Sequence, residues 1–399
     1  MIYLIVFTYL FILSISFDFL KVKGPKKFFY YLSMIILILI AGFRWKVGGD
    51  TLTYQSKFDD YIYPIYEFNK INFLKINWEP GIVILMSLSK TIVSEFWFFQ
   101  LIHAIFVNVI FFKFFKKYSY FKFTSVLLYS FFLYFYFNME IMREILSICI
   151  FINFMYPLLE QKKYKKYYFI NLFLLLIHTS SLILFFFPLL CQLKEINKKN
   201  IVLFLLLGVL LYMSLNQFGS ILFSFDTFGD FSNKVDGYSK YSFNIVGIIY
   251  NALAFLIFPF LLIKFSERYY NHSVFNNLYF VYFFIIFLYI FYSGFGRFIN
   301  YLSPFMLVYF SNVVYLLWKL KKFNKVRSVL IIIILFLPIF HKSRYYLTDT
   351  SMYAKDTRKY YLWFPYSSIF NKEDYFKDRF KIYSGNMNDL YYNNNNSKK

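Results

Sequence analysis

Long apolar blocks recur along the whole chain, each near the length of a bilayer crossing, and many are closed off by lysines. The hydrocarbon core of a membrane takes ~20 residues of helix to cross. Ten stretches approach that length: Met1 to Leu20, Phe28 to Phe43, Phe96 to Phe115, Tyr120 to Phe137, Ile141 to Leu159, Ile201 to Leu215, Phe243 to Ile263, Phe275 to Tyr292, Phe298 to Trp318 and Val329 to Phe340. Inside hydrocarbon every backbone N–H and C=O needs a partner, so only helices or closed barrels can cross. The blocks are continuous rather than alternating, which argues against a barrel. The expected fold class is all-α: a polytopic transmembrane helical bundle of about ten full spans. With 59% of the 399 residues hydrophobic, little sequence is left for a soluble domain. The membrane domain is expected over 1–342, followed by a polar, tyrosine-rich tail over 343–399 whose last dozen residues read as disordered.

Two further apolar pieces are irregular. Gly81 to Val93 is short for a crossing, and Tyr167 to Leu193 carries His178 near its middle and Pro188 later. Both read as broken or re-entrant helices, which persist at membrane depth only where they line protein or a cavity. The first twenty residues lack the basic start and small-residue cleavage site of a signal peptide, so they count as the first span.

A net charge of +22 would point to nucleic acid in a soluble protein. Here the lysines lie between spans, where they set orientation instead. The clusters are Lys21, Lys23, Lys26 and Lys27; Lys113, Lys116, Lys117 and Lys122; Lys162, Lys163, Lys165 and Lys166; Lys194, Lys198 and Lys199; and Lys319, Lys321, Lys322, Lys325 and Arg327. All five face the cytoplasm only if neither irregular piece makes a net crossing. That arrangement puts both termini, an extracytoplasmic loop over 44–79 and a second over 216–242 outside. The second loop holds Asp226, Asp230 and Asp236. Cys149 and Cys191 both sit within apolar runs, which supports neither a disulfide framework nor a cysteine metal site.

The same bookkeeping gathers the unusual polar residues on the outer side, where ionisable groups at membrane depth are functional candidates. Two readings stand for each. Arg44 is a snorkelling span end or a substrate ligand, and Gly48-Gly49-Asp50 before Tyr54 an ordinary turn or a shaped pocket. Glu79-Pro80-Gly81 opens a helix, with its acid at the positive end of the dipole or in a site. Glu140, Arg143 and Glu144 share a helical face by their spacing, enough for a local ion pair. His178 is a satisfied structural histidine or a catalyst. Arg297, after Ser293-Gly294-Phe295-Gly296, anchors the next helix or meets substrate.

In the order and spacing of these motifs the chain resembles the EpsG/Wzy-type polysaccharide polymerases of bacterial capsule, exopolysaccharide and O-antigen assembly. The matching residues are Arg44, Gly48, Asp50 and Tyr54; Glu79-Pro80-Gly81; Arg143; His178 with Ser180; and Arg297 with Tyr301, over roughly Gly42 to Phe310. One departure is Glu144, where many relatives are expected to carry glutamine. The resemblance implies an architecture like that of the GT-C-type membrane glycosyltransferases, in the cytoplasmic membrane of a bacterium with the site facing outward. It implies polymerisation of repeat units carried on undecaprenyl diphosphate, the lipid-linked oligosaccharides serving as donor and acceptor. A chain-length regulator and a flippase would be partners in the same membrane, with nucleic acid none. The leaving diphosphate suits the planar fork of arginine, which makes Arg44, Arg143 and Arg297 clamp candidates. A base for the acceptor hydroxyl would come from His178, Glu79, Asp50 or Glu140. Gly48, Gly49, Tyr54 and Tyr301 would shape the pocket or bind sugar; Trp45, Tyr54 and Trp78 stack on sugars or serve as interfacial anchors.

No Asp-x-Asp motif, Walker A loop, dinucleotide fingerprint or His/Cys cluster occurs, so no cofactor and no metal are expected. The competing classes are a lipid-linked oligosaccharide flippase, and a glycan ligase or acyltransferase at the same leaflet. A flippase should spread its polar groups through the membrane depth, whereas here they crowd one face. An acyltransferase would leave three outer-face arginines unexplained.

Overall fold

The computed structural model describes residues 2–191, 249, 252–267, 278–291, 295–319, 328–334, 359–373 and 379. The described residues are helical, without a strand beyond isolated bridges at Arg44–Ser368 and Ser368–Asn371. The helices used below are α1 (Ile2–Phe19), α2 (Lys26–Gly42), α3 (Gly49–Tyr61), α4 (Pro80–Ile92), α5 (Phe96–Tyr118), α6 (Lys122–Phe132), α7 (Met142–Glu160), α8 (Tyr164–Leu175), α9 (Phe258–Glu267), α10 (Leu278–Phe291) and α11 (Gly296–Lys319). Of these, α1, α5, α7 and α11 are long and apolar enough to cross a membrane. The expected span at Phe28–Phe43 corresponds to a helix of 17 residues, and those at Tyr120–Phe137 and Phe275–Tyr292 to shorter helices of 11 and 14 residues. Ile201–Leu215 and the loop over 216–242 lie outside the described residues, as does most of the tail.

Side chains around these helices fit lipid rather than water. Leu4 and Ile5 on α1 are 67% and 64% exposed, and Ile35, Leu39, Ile102 and Ile105 on α2 and α5 are also exposed. An apolar belt of this kind on a soluble monomer would drive association. The chain is a membrane protein.

It divides into two compact units: Met1–Asn153 with Phe173–Thr179 and Leu307–Lys399, and Phe154–Leu172 with Ser180–Met306. In the first, α2 lies along α5, where Tyr30 donates to Phe112 O at 2.7 Å. Hydrocarbon supplies no hydrogen-bonding partners, so buried polar side chains in such a bundle must satisfy one another. Asn138 Nδ2 accordingly donates to Tyr129 Oη (2.9 Å) and Tyr134 O (3.0 Å), its Oδ1 accepts from Asn108 (3.0 Å), and Tyr134 reaches Leu37 O (2.6 Å). This network joins α2, α5 and α6 to a π-helical turn at Tyr136–Glu140.

One end of the first unit carries lysines. Lys116 of α5 donates to Tyr31 of α2 at 2.9 Å, which brings the first two basic clusters to the same end. Phe19 at the end of α1 meets Trp318 near the end of α11 at 5.1 Å, placing Lys319 there as well. The opposite end holds the segment expected as a long loop over 44–79. That segment is mostly helical: α3, a 3-10 turn at Ile65–Lys70, and a short turn at Phe73–Ile76 that Asn72 caps by accepting from Lys75 N at 3.1 Å.

The expected irregularities are present. α4 is a 13-residue helix. The Tyr167–Leu193 piece breaks after α8 and resumes as a 3-10 turn at Thr179–Phe185, with His178 in the break. In the second unit, Tyr167 donates to Leu184 O at 2.7 Å, and Tyr156 meets Phe305 edge-on at 4.7 Å.

Candidate functional site

At the end opposite the lysines, Arg143 stands in the first turn of α7 with its side chain 19% exposed. Its Nη1 pairs with Glu79 Oε2 at 2.6 Å, and its Nε donates to Tyr54 Oη at 3.3 Å. The guanidinium lies 5.3 Å from the Trp78 ring centroid and 6.0 Å from that of Tyr54, and the two rings are 5.0 Å apart. Three chain segments thus converge on one cation: α3 through Tyr54, the Trp78-Glu79 corner, and α7. Among the described residues none accepts from Arg143 Nη2. Lys57, one turn after Tyr54, stands 4.7 Å from the Trp78 centroid and donates to Ile76 O.

Glu79 is the hub. Its second oxygen accepts from Thr179 N at 3.1 Å and Thr179 Oγ1 at 3.5 Å. Burial opposes its charge, but the Arg143 guanidinium and then His178 more than offset that and hold the carboxyl below its ordinary range. Glu79 is the N-cap of α4, ahead of a proline at the first helical position, and its side chain makes no hydrogen bond to its own helix, which leaves both oxygens to Arg143 and Thr179. Gly81 brings the histidine segment alongside: its N–H donates to Leu176 O at 2.6 Å, and a Cβ there would stand 2.6 Å from that same oxygen. His178 itself is buried, 5% exposed.

Arg44 occupies a different position. It is 0% exposed, and its guanidinium is surrounded by the protein: Nε donates to Val47 O (3.3 Å), Nη1 to Ala41 O, and Nη2 to Thr51 Oγ1 (3.3 Å) and Met142 Sδ (3.4 Å). No face of it is open to a substrate in this arrangement. It holds the turn that leads from α2 into α3.

Glu140 completes that turn. Its two carboxylate oxygens accept from Gly49 N and Asp50 N, both at 2.9 Å, at the positive end of α3. Burial and the adjacent Asp50 carboxylate push the Glu140 carboxyl up. Thr51 Oγ1 donates to Met139 O at 2.6 Å. Gly48 has φ of +103°, and a Cβ on it would stand 2.8 Å from Met139 O. Gly48 and Gly49 therefore serve the close packing of α3 on the π-helical turn. The local ion pair expected among Glu140, Arg143 and Glu144 gives way to longer-range partners: Arg143 pairs with Glu79, and Glu140 caps α3. Glu144 is buried, 1% exposed.

Arg297 and Tyr301 belong to the second unit, one turn apart on α11. Arg297 is exposed, and Tyr301 is buried with its hydroxyl 3.0 Å from Ser180 Oγ. Of the residues expected in the site, the first unit gathers Tyr54, Glu79, Arg143 and the His178 segment around one ion pair. Arg44, Gly48, Gly49, Asp50 and Glu140 form the adjoining turn.

Three participants had not been assigned these roles. Trp78 faces a cation rather than standing as a lone anchor, Lys57 joins it, and Thr179 binds Glu79. Thr179 had a signal in its adjacency to His178; Lys57 had only its i+3 spacing from Tyr54. Among the described residues no group of three or more His, Cys, Asp or Glu stands together as a metal site.

The model of the EpsG family matches residues 27–368. No curated protein and no solved structure matches the chain.

Proposed function

Since the chain belongs to the EpsG family, a polysaccharide polymerase-type family, we propose that it lengthens a surface polysaccharide at the outer face of a bacterial cytoplasmic membrane. Undecaprenyl diphosphate-linked oligosaccharides would be both donor and acceptor, with a flippase and a chain-length regulator as partners in that membrane. The reading rests on one observation above others: an arginine at the end of the first unit opposite the lysines, held on three sides and still 19% exposed, whose partner Glu79 also binds the turn after the buried His178.

In the proposed reaction the bond between the donor's anomeric carbon and a diphosphate oxygen breaks as an acceptor hydroxyl oxygen bonds to that carbon. The bond electrons leave with the diphosphate, whose growing charge Arg143 stabilises through Nη2, a role suited to a preorganised guanidinium. The acceptor's proton passes to His178. Glu79 holds both groups, binding Arg143 with one oxygen and the turn after His178 with the other. Tyr54 and Trp78 fix the plane of the guanidinium, as stacking aromatics do. Arg44, Asp50, Glu140 and the two glycines support α3, which carries Tyr54. Arg297, exposed in the first turn of α11 in the second unit, is proposed to bind lipid diphosphate as well.

The test is the surface glycan of a deletion strain. Single repeat units capping the acceptor fit loss of a polymerase; complete absence of exported units fits a flippase and would sink the proposal. In the same strain, Arg143→Lys keeps the charge but not the fork. It is expected to lower elongation of purified lipid-linked units by roughly 10²-fold at unchanged protein level.

A further inference from the structure

Part of the tail is built into the turn beside the proposed site. Residues 359–373 lie along the outer edge of 43–48: Trp45 N donates to Ser367 O (2.8 Å), Gly48 N to Leu362 O (2.8 Å), and Ile369 N to Phe43 O (3.0 Å). Tyr3 and Tyr366 pin the strip from the bundle side, donating to Trp363 O and Ile40 O at 3.0 and 3.1 Å. Beyond the last residue the family model matches stands Arg379, 1% exposed. Its Nε donates to Tyr361 O (3.2 Å), its Nη1 to Lys46 O (3.0 Å) and its Nη2 to Pro365 O.

We infer that Arg379 is a positioning residue for the proposed site: by gathering carbonyls from both strips it clamps the C-terminal segment onto the 44–48 turn and so fixes the helix that carries Tyr54 to Arg143. A buried guanidinium is retained where its fork meets several acceptors at once, which a lysine cannot match. Lys46 sits at φ of 52° and Gly48 at 103°, so this turn departs from helix and its carbonyls need partners from elsewhere. Arg44 supplies them from inside at Ala41 and Val47; Arg379 supplies one from outside at Lys46. α3 starts at Gly49, directly after the clamped turn, and Tyr54 follows on it. The catalytic consequence rests on the polymerase reading; the clamp itself does not.

The experiment uses the purified full chain in lipid nanodiscs and reads two quantities: amide exchange at Trp45 and Gly48, and elongation of lipid-linked repeat units. Arg379→Ala is expected to speed exchange at both amides by ~10-fold or more and to slow elongation by ~10²-fold. Ethylguanidinium added to this variant should restore both, which a merely unfolded protein would not do. Arg379→Lys, the gentler change, should give intermediate exchange and partial activity. Wild-type exchange at Trp45 and Gly48 in both variants overturns the clamp. Faster exchange with unchanged elongation overturns the positioning role. A wild-type protein that does not elongate the units refutes the polymerase reading, while the exchange comparison still decides the clamp.

Discussion

At the scale of single residues, Glu79 decides the character of the site. The sequence marks it as an acid before a proline, a pattern that fits a helix start as readily as a ligand. What the pattern could not carry is its partner: Arg143 lies 64 residues away, whereas Glu140 stands at helical spacing from that arginine and looks like the natural pair. Local spacing loses here because Glu140 finds two backbone N–H groups at the start of α3, which only tertiary packing brings to it. For Glu79→Gln, the loss of a partly buried ion pair is expected to cost about 2 kcal/mol, less than for a fully dry pair because both side chains keep some solvent. The pH dependence follows from the sign of the shift. The folded carboxyl titrates below the ordinary 4.5, so its stabilisation is fully present above that value and is lost as pH falls through the lower folded one. Thermal unfolding in detergent from pH 7 down to pH 3 should therefore show a decline below about pH 4.5 that is shallower in Glu79→Gln. Equal slopes in the two proteins would remove Glu79 from the ion pair.

At the scale of elements, the helices were legible because hydrocarbon leaves the backbone so few options, and α1, α5, α7 and α11 fall within three residues of the apolar blocks that foretell them. The 44–79 segment was not legible as helix, since its polar and aromatic residues follow no apolar stripe. Its order comes from its ends. α3 begins where Gly48 admits a positive φ and passes within contact of Met139 O, a carbonyl offered by the π-helical turn, and π-turns are often found at functional sites. Gly48→Ala should therefore strain the backbone by about 1–3 kcal/mol and force α3 off Met139. The expected result is a lower melting temperature together with weaker Tyr54–Arg143 packing, read as increased exchange of the α3 amides. An alanine variant with unchanged melting and exchange would mean that α3 does not depend on this approach. His178 shows the opposite case: the sequence announced a break around it, and the structure leaves it between α8 and the following 3-10 turn.

At the scale of the whole chain, the basic-residue count made a topological statement that side-chain contacts can be set against. In the first unit the Lys21–Lys27 and Lys113–Lys122 clusters and Lys319 stand at one end, and Arg44, Glu79, Arg143 and residues 359–373 at the other. The tail was the hardest part to place by sequence, because long tails escape the positive-inside rule and nothing periodic marks Arg379. Its backbone pairing with 43–48 ties its side of the membrane to that of Arg44. If the lysine end is cytoplasmic, both Ser56 and Asn371 face outward. Both are exposed, and the natural cysteines, Cys149 and Cys191, are buried, so single introduced cysteines can be read without background. A membrane-impermeant maleimide applied to intact cells, or to spheroplasts if an outer membrane is present, should label Ser56→Cys and Asn371→Cys. It should reach Lys23→Cys and Lys117→Cys only after permeabilisation. Labelling of Ser56→Cys without Asn371→Cys would separate the tail from the 44–48 turn; labelling of the lysine positions from outside would invert the orientation and, with it, the leaflet at which the Arg143 site meets its lipid-linked substrate.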